Sequence, residues 1–286
     1  MGVLQNKIDF SVIITAKNAN PNGDPLNGNR PRESYDGFGE ISDVCIKRKI
    51  RNRLQDMGEK IFVQSDDRCD DGCDSLRTRA ESNDAIKSIS KGKNTDRDEY
   101  AKAACEEWID VRSFGQVFAF KGLEVSVGVR GPVSVQQAVS VDPVDIVSMQ
   151  ITKSVNGESG KEGKASDTMG TKHRVEFGMY IINGSINCQL AEKTGFTDED
   201  AEKIKEALMT LFENDCSSAR PEGSMEVCRL YWWKHDCKTP KYSSAKIHRL
   251  LKVQLKDGID RARAFEDYDI TLGELEGAVP EIYDLV

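Results

Sequence analysis

The sequence predicts an α+β fold, and three observations carry that reading. Apolar residues alternate with polar ones at Ile8, Phe10, Val12 and Ile14, and again at Leu123 to Val129 and at Val175 to Ile181. Apolar residues recur at helical spacing at Ile46, Ile50, Leu54 and Met57, and at Ala201, Ile204, Leu208 and Leu211. Once two polar excursions at about 58–107 and 142–172 are set aside, these segments follow one another as strand, helix, strand, strand, helix, strand. That is the split βαβ order of ferredoxin-like and RNA-recognition (RRM) folds.

Each element has a local cause. The first strand spans 8–16 and ends in a turn-rich stretch, KNANPNGDPLNGNRPRESYDGFG, dense in Asn, Gly and Pro. A helix begins near Ser42, runs to about Met57 and stops at Gly58. Residues 58–107 read as an insertion, acidic at SDDRCDDGCD and helical near EYAKAACEEW. Strands are expected at 111–120 and 123–130. The excursion at 142–172 carries NGESGKEGKASDTMGTK, whose composition buries no core. Thr197 caps the second helix with Asp200 three residues on. A strand is expected at 226–233 and another near 247–255, before an acidic tail.

Composition narrows the function classes. The chain has 286 residues, enough for a sizeable core, and 31% of them are charged. Its net charge of −8 disfavours a protein that is basic all over, but nucleic-acid binding depends on where Lys and Arg cluster. No leader or apolar span of membrane length is visible, so a cytoplasmic location with no membrane partner is expected, and the 8 cysteines are expected as thiols.

Two clusters stand out as phosphate sites. The helix places Lys47, Arg48, Lys49, Arg51 and Arg53 against one nearby acid, Asp43. Such an excess suits phosphate as well as a solvated helix face. In the loop NPNGDPLNGNRP, Gly23 and Gly28 permit close backbone approach, and Arg30 and Arg32 add charge. Asp24 in that loop is a possible metal ligand or base, although an Asp beside Gly is commonly a turn residue. The SDDRCDDGCD segment fails the calcium-loop pattern, Cys69 and Cys73 lack a second ligand pair, and no nucleotide-binding glycine motif occurs. No catalytic residue, metal or cofactor is expected. Tyr231, Trp232 and Trp233 are candidates for stacking on bases, with Trp232 the better candidate for the core.

Seven segments in order resemble one known family: KNANPNGDPLNGNRPR, ISDVCIKRKIRNRL, DVRSFGQVF, GVRGPVSVQQAVSVDPVDI, ITK with TMGTKHRVEFGMY, KTGFTDED and RAFEDYDI. The chain is similar to the Cas-seven-type backbone subunit of type I CRISPR surveillance complexes, most of all type I-C. The resemblance implies a single hand-shaped domain over 1–286: an RNA-recognition-like palm, a finger insertion at 58–107 and a thumb hairpin at 142–172. Several copies would polymerise in a helical filament along the spacer of a guide crRNA and present it to target DNA. Other partners implied are a small cap subunit, a large subunit and, indirectly, a recruited nuclease-helicase.

Carried over by motif, Asn22, Gly23, Arg30, Lys47, Arg48 and Arg51 would hold guide phosphates, and Arg112 would lie on or near the palm surface. Lys153, Thr168, Met169 and Lys172 belong to the thumb, with Met169 as a wedge between bases. Thr171 and Ser113 depart from the family pattern, where a basic and an apolar residue are usual. Relatives in type III complexes cut RNA with a loop aspartate, so a metal-dependent endoribonuclease using Asp24 is the alternative function; the type I-C resemblance does not bring that activity.

Overall fold

The structure, a computed structural model, describes residues 2–90, 96–120, 126–152 and 169–286. The chain opens with β1 (Ile8–Ala19), followed by a small ribbon of β2 (Gly23–Asp24) and β3 (Arg30–Pro31) and by β4 (Phe38–Ile41). Helix α1 (Asp43–Asp56) starts where Ser42 Oγ accepts the Cys45 N–H. The next segment holds α2 (Leu76–Ser82), α3 (Asp84–Ser90), α4 (Arg97–Glu107), α5 (Ile109–Phe114), β5 (Gly115–Phe118) and β6 (Val127–Arg130). Then come β7 (Val133–Val135), β8 (Ala138–Pro143), β9 (Ile146–Thr152) and β10 (Met169–Ile186). Helices α6 (Cys188–Thr194) and α7 (Asp198–Met209) lead into β11 (Met225–Lys234). The chain finishes with α8 (Ser244–His248), β12 (Leu251–Leu255), β13 (Tyr268–Leu272) and β14 (Glu281–Asp284).

The main sheet is antiparallel, in the order β14-β11-β1-β10-β8-β4, with β7 and β9 also paired to β10. Strand β1 lies in the middle and is buried on both faces. One face carries Ile8, Phe10, Val12, Ile14 and Ala16 into a core with Ile46, Ile50 and Leu54 of α1 and Ala201, Ile204 and Leu208 of α7. The opposite face, with Ile13, Met179, Tyr231 and Trp233, packs under Ile247, Leu251, Ala262 and Tyr268 of the C-terminal segment. A third core, built on Phe62, Tyr100, Ala104, Trp108, Val111, Phe118 and Val127, belongs to the helical insertion and continues past residue 107.

Several expected elements take a different form. Residues 109–114 are helical, not extended, because Trp108 ends α4 and Gly115, at φ 82°, supplies the turn into β5. Leu123 and Val125 of the second expected strand lie outside the described residues, while Val127 and Val129 stand on β6. The expected strand near 247–255 is split into α8 and β12, and the 12-residue β1 outruns its expected end at 16.

The second core contains a pH-sensitive group. His248 is 9% exposed, and its Nε2–H donates to the Gly184 carbonyl at 3.0 Å. Burial pulls its pKa below 6.5; the carbonyl and nearby Asp9 oppose this and Lys7 adds to it. The folded chain therefore resists a proton that the unfolded chain accepts, and the resulting stability is complete above 6.5 and drains away below it. Thermal melts are expected to fall between pH 7.5 and pH 5.5, and to fall less in His248→Gln. Equal slopes in the two proteins would remove His248 as the cause.

Candidate nucleic-acid interface

Where β1 leaves the sheet, its loop folds back on itself. Asn20, 2% exposed, donates from Nδ2 to the Asn29 carbonyl at 2.6 Å and closes the loop. Asn22 Oδ1 accepts both the Ser42 N–H and the Ser42 hydroxyl at 2.9 Å, so Asn22 anchors the loop to the start of α1. A Cβ on Gly23 would fall 1.9 Å from Asn29 Oδ1, so any larger residue there requires the Asn29 side chain to move. Gly28 and Asn29 adopt left-handed conformations at φ 58° and 59°, leaving Leu26 at the tip 97% exposed. Asp24 Oδ1 accepts the Leu26 N–H at 3.2 Å and pairs with Arg32 at 3.3 Å, so its carboxylate holds the turn.

This loop rests on a long hairpin. Strand β10 pairs with β1 from Val175 to Ile186 and, before that, with β9 from Met169 to Val175. Eighteen residues give β10 a length of roughly 55 Å, so its first residues run past the end of β1, where they pair with β9. On these arms Met149, Ile151 and Met169 are 40%, 47% and 61% exposed, against the usual preference for burial. Gln150 Nε2 sits 2.8 Å from Met169 Sδ. At the root of the hairpin, Arg30 Nη1 donates to Ser148 Oγ at 3.1 Å, and Ser148 Oγ lies 2.8 Å from His173 Nδ1. Arg30 is thus brought against Ser148, and through it His173, from a segment more than a hundred residues away; Lys172, paired with Met149, stands on the other face of the hairpin, and Met169 lies further along β10 opposite Thr152. Lys153 and Thr168 lie outside the described residues.

The basic helix behaves differently from its sequence. Lys47 pairs with Asp43 at 2.9 Å near the surface. Arg48 donates to the Val63 carbonyl at 2.6 Å. Lys49 is buried against Asp215 and lies 5.5 Å from the centre of the Phe212 ring. Arg51 donates to Asp110 at 2.9 Å and covers the Phe114 ring, and Arg53 reaches Thr210 and Glu213, both at 2.7 Å. Four of the five charges are struts to distant segments. Arg112 likewise grips Asp200 with two bonds of 3.0 and 2.7 Å, joining the helical insertion to the cap of α7.

The aromatic trio does not face solvent. Tyr231, Trp232 and Trp233 are 2%, 0% and 1% exposed, so none of them stacks on a base. Alternation sends Trp232 toward the helices, but the C-terminal segment roofs the other face as well.

A sequence profile of the family described as CRISPR-associated protein Cas7 matches residues 6–273. The chain belongs to the Cas7 family. It is 24% identical to the CRISPR-associated protein Cas7 of Haloferax volcanii over 98% of this chain and 85% of that one. The fold is similar to that of a chain in a solved CRISPR RNA-guided surveillance complex, pre-nicking, with a TM-score of 0.51, 16% identity and coverage of 84% of this chain and 81% of that one. A chain of another CRISPR RNA-guided surveillance complex gives 0.50 and 15%, over 89% and 78%. Identities this low establish a shared mixed α/β fold with an antiparallel sheet.

Within this Cas7-family chain, sequence reasoning missed the Ser148–His173 contact that seats Arg30, and the closing role of Asn20. Both depend on partners brought together by β10, and the only local signal was the polar character of residues flanking a strand. Among the described residues, no helix is long and apolar enough to cross a membrane.

Proposed function

We propose that this chain is the crRNA-binding backbone subunit of a type I-C CRISPR interference complex, polymerising along the spacer and presenting it to target DNA. The observation that carries the reading is the Cas7-family match over 6–273, on a chain whose longest strand runs past β1 into a hairpin with exposed methionines. The strand order β11-β1-β10-β7, with α1 between β1 and β7 and α7 between β10 and β11, supports an RNA-recognition-like palm. The third core supports a finger, and the β9–β10 arms support a thumb.

In this reading Arg30, Lys172 and Lys47 meet guide phosphates directly, Lys153 and Thr168 act from the thumb, and Met169 is the wedge. Asn22 and Gly23 shape the loop against which the backbone lies. Arg48, Arg51 and Arg112 hold helix and insertion in place behind that surface, a supporting task that their internal partners favour over direct contact. Sequence is read by base pairing, so the protein needs a positive track and not a positive net charge. Copies related by a repeated, non-closing contact generate the filament, and the small and large subunits and a nuclease-helicase complete the machinery. The chain itself is non-catalytic in this reading. The turn hydrogen bond and the Arg32 ion pair both engage Oδ1 of Asp24, which favours a structural aspartate over a ribonuclease base.

Native mass spectrometry of the purified chain before and after nuclease treatment tests the proposal. Multimers carrying a uniform length of RNA per added copy are expected, collapsing after digestion. A chain that stays monomeric and RNA-free when given guide RNA would overturn it.

A further inference from the structure

The rim of the helical insertion carries two thiols to which guide binding gives no task. The segment Cys69-Asp70-Asp71-Gly72-Cys73 turns back on itself at Gly72, whose φ is 71°. Asp71 Oδ1 accepts the Cys73 N–H at 3.0 Å and lies 3.4 Å from Cys69 Sγ. Cys69 Sγ itself lies 3.2 Å from the Cys73 carbonyl oxygen. The turn therefore lays the first sulfur on the backbone of the second cysteine, whose own sulfur lies 3.9 Å from Ser82 Oγ.

A fixed cation adjoins the same sulfur. Arg79 is 4% exposed and is held by Asp71 at 2.5 Å, by the Phe62 carbonyl at 2.9 Å and by Gln64 at 3.2 Å. That framework sets its Nη2 3.6 Å from Cys69 Sγ. The thiolate is the form that attacks disulfides. Cys69 is exposed and Cys73 partly so, and a small oxidant meets Cys69 first. Asp70, Asp71 and Arg79 also line a cleft of about 630 Å³ between this turn, the end of α1 and Trp108.

We propose that Cys69 and Cys73 form a redox-closable clasp, oxidised to an intramolecular disulfide by a small disulfide such as oxidised glutathione. The Cys69 thiolate attacks one glutathione sulfur, forming a mixed disulfide and expelling a glutathione thiolate. The Cys73 thiolate then attacks the Cys69 sulfur and expels the second. The two cysteines lose two electrons and two protons, and both protons end on the two reduced glutathiones. Closure ties the turn at both ends and takes the Cys69 sulfur away from Arg79, altering one wall of the cleft. The inference does not depend on the guide-binding reading.

The test treats the full chain with oxidised glutathione, quenches with acid, alkylates the remaining thiols and maps peptides by mass spectrometry. The peptide spanning 69–73 is expected to lose two hydrogens and escape alkylation, while the exposed Cys216 carries at most a glutathione adduct. In Cys73→Ser the adduct should accumulate on Cys69, and in Cys69→Ser the remaining thiol should react about tenfold more slowly. Both variants change only the surface turn, and an unaltered melting temperature verifies their fold. Stable separate adducts on Cys69 and Cys73, or a Cys69 no more reactive than Cys216, would overturn the clasp.

Discussion

Asp110→Ala is expected to cost about 4 kcal/mol of stability, the largest single-residue loss away from the apolar cores. Asp110 is 0% exposed at the start of α5, and its two oxygens take three bonds. Oδ1 accepts the Phe62 N–H at 2.7 Å, and Oδ2 accepts the Val63 N–H at 3.1 Å and Arg51 Nε at 2.9 Å. Alanine leaves two backbone donors and one guanidinium, itself 12% exposed, without their acceptor and with little water to replace it. In a chain of this size the melting temperature should drop by about 8 °C. Asp110→Asn, which keeps an acceptor but loses the charge, should lose roughly half as much. Hydrogen exchange should accelerate first at Phe62 and Val63, because the broken contact joins the insertion to α1. A loss below about 1 kcal/mol would mean that water or a shifted side chain restores the three bonds.

Reversing two charges on β3 and β10, Arg30→Glu with Lys172→Glu, is expected to lower guide-RNA retention at least about a hundredfold at physiological salt if the proposed function holds. Each lost phosphate contact should also flatten the salt dependence of binding by about one unit in the logarithmic slope. Among the described residues Arg30 is tied to Glu33 at 3.4 Å and Ser148 at 3.1 Å, and Lys172 is exposed, so the melting temperature should stay within about 2 °C of the parent. Filter binding with a labelled guide across a salt series measures both effects. Undiminished retention would remove Arg30 and Lys172 from the guide path. The contrast with α1 is informative: removing Lys47, Arg48 and Arg51 together should lower stability through Asp110 and Val63, and RNA loss in that variant would confound folding with binding.

Elements whose cause lies within a few residues were legible in the sequence. Alternation along β1 and the half of β10 paired with it follows from the two-residue repeat of a strand, and Ile46, Ile50 and Leu54 follow from the helical repeat. The Thr197–Asp200 cap was legible for the same reason, since three residues separate its partners. The turn chemistry of the Asn-Gly loop was also local. Six residues at 109–114 are too few for either repeat to declare itself, and there the contacts of Val111 and Asp110 decided for helix.

Tertiary structure alone decided the fate of the charges. Five basic residues on one helix look like a phosphate site when counted against acids nearby in sequence. Asp110 stands 59 positions from Arg51 and Asp215 stands 166 from Lys49, so their neutralisation appears only when the chain folds. The same holds for Tyr231 and Trp233, whose roof arrives from residues 247–278, and for Arg30, which finds Ser148 across 118 positions. Periodicity is a property of backbone geometry and can be read along the chain. Charge pairing and burial belong to groups that meet in space, and only the fold brings them together.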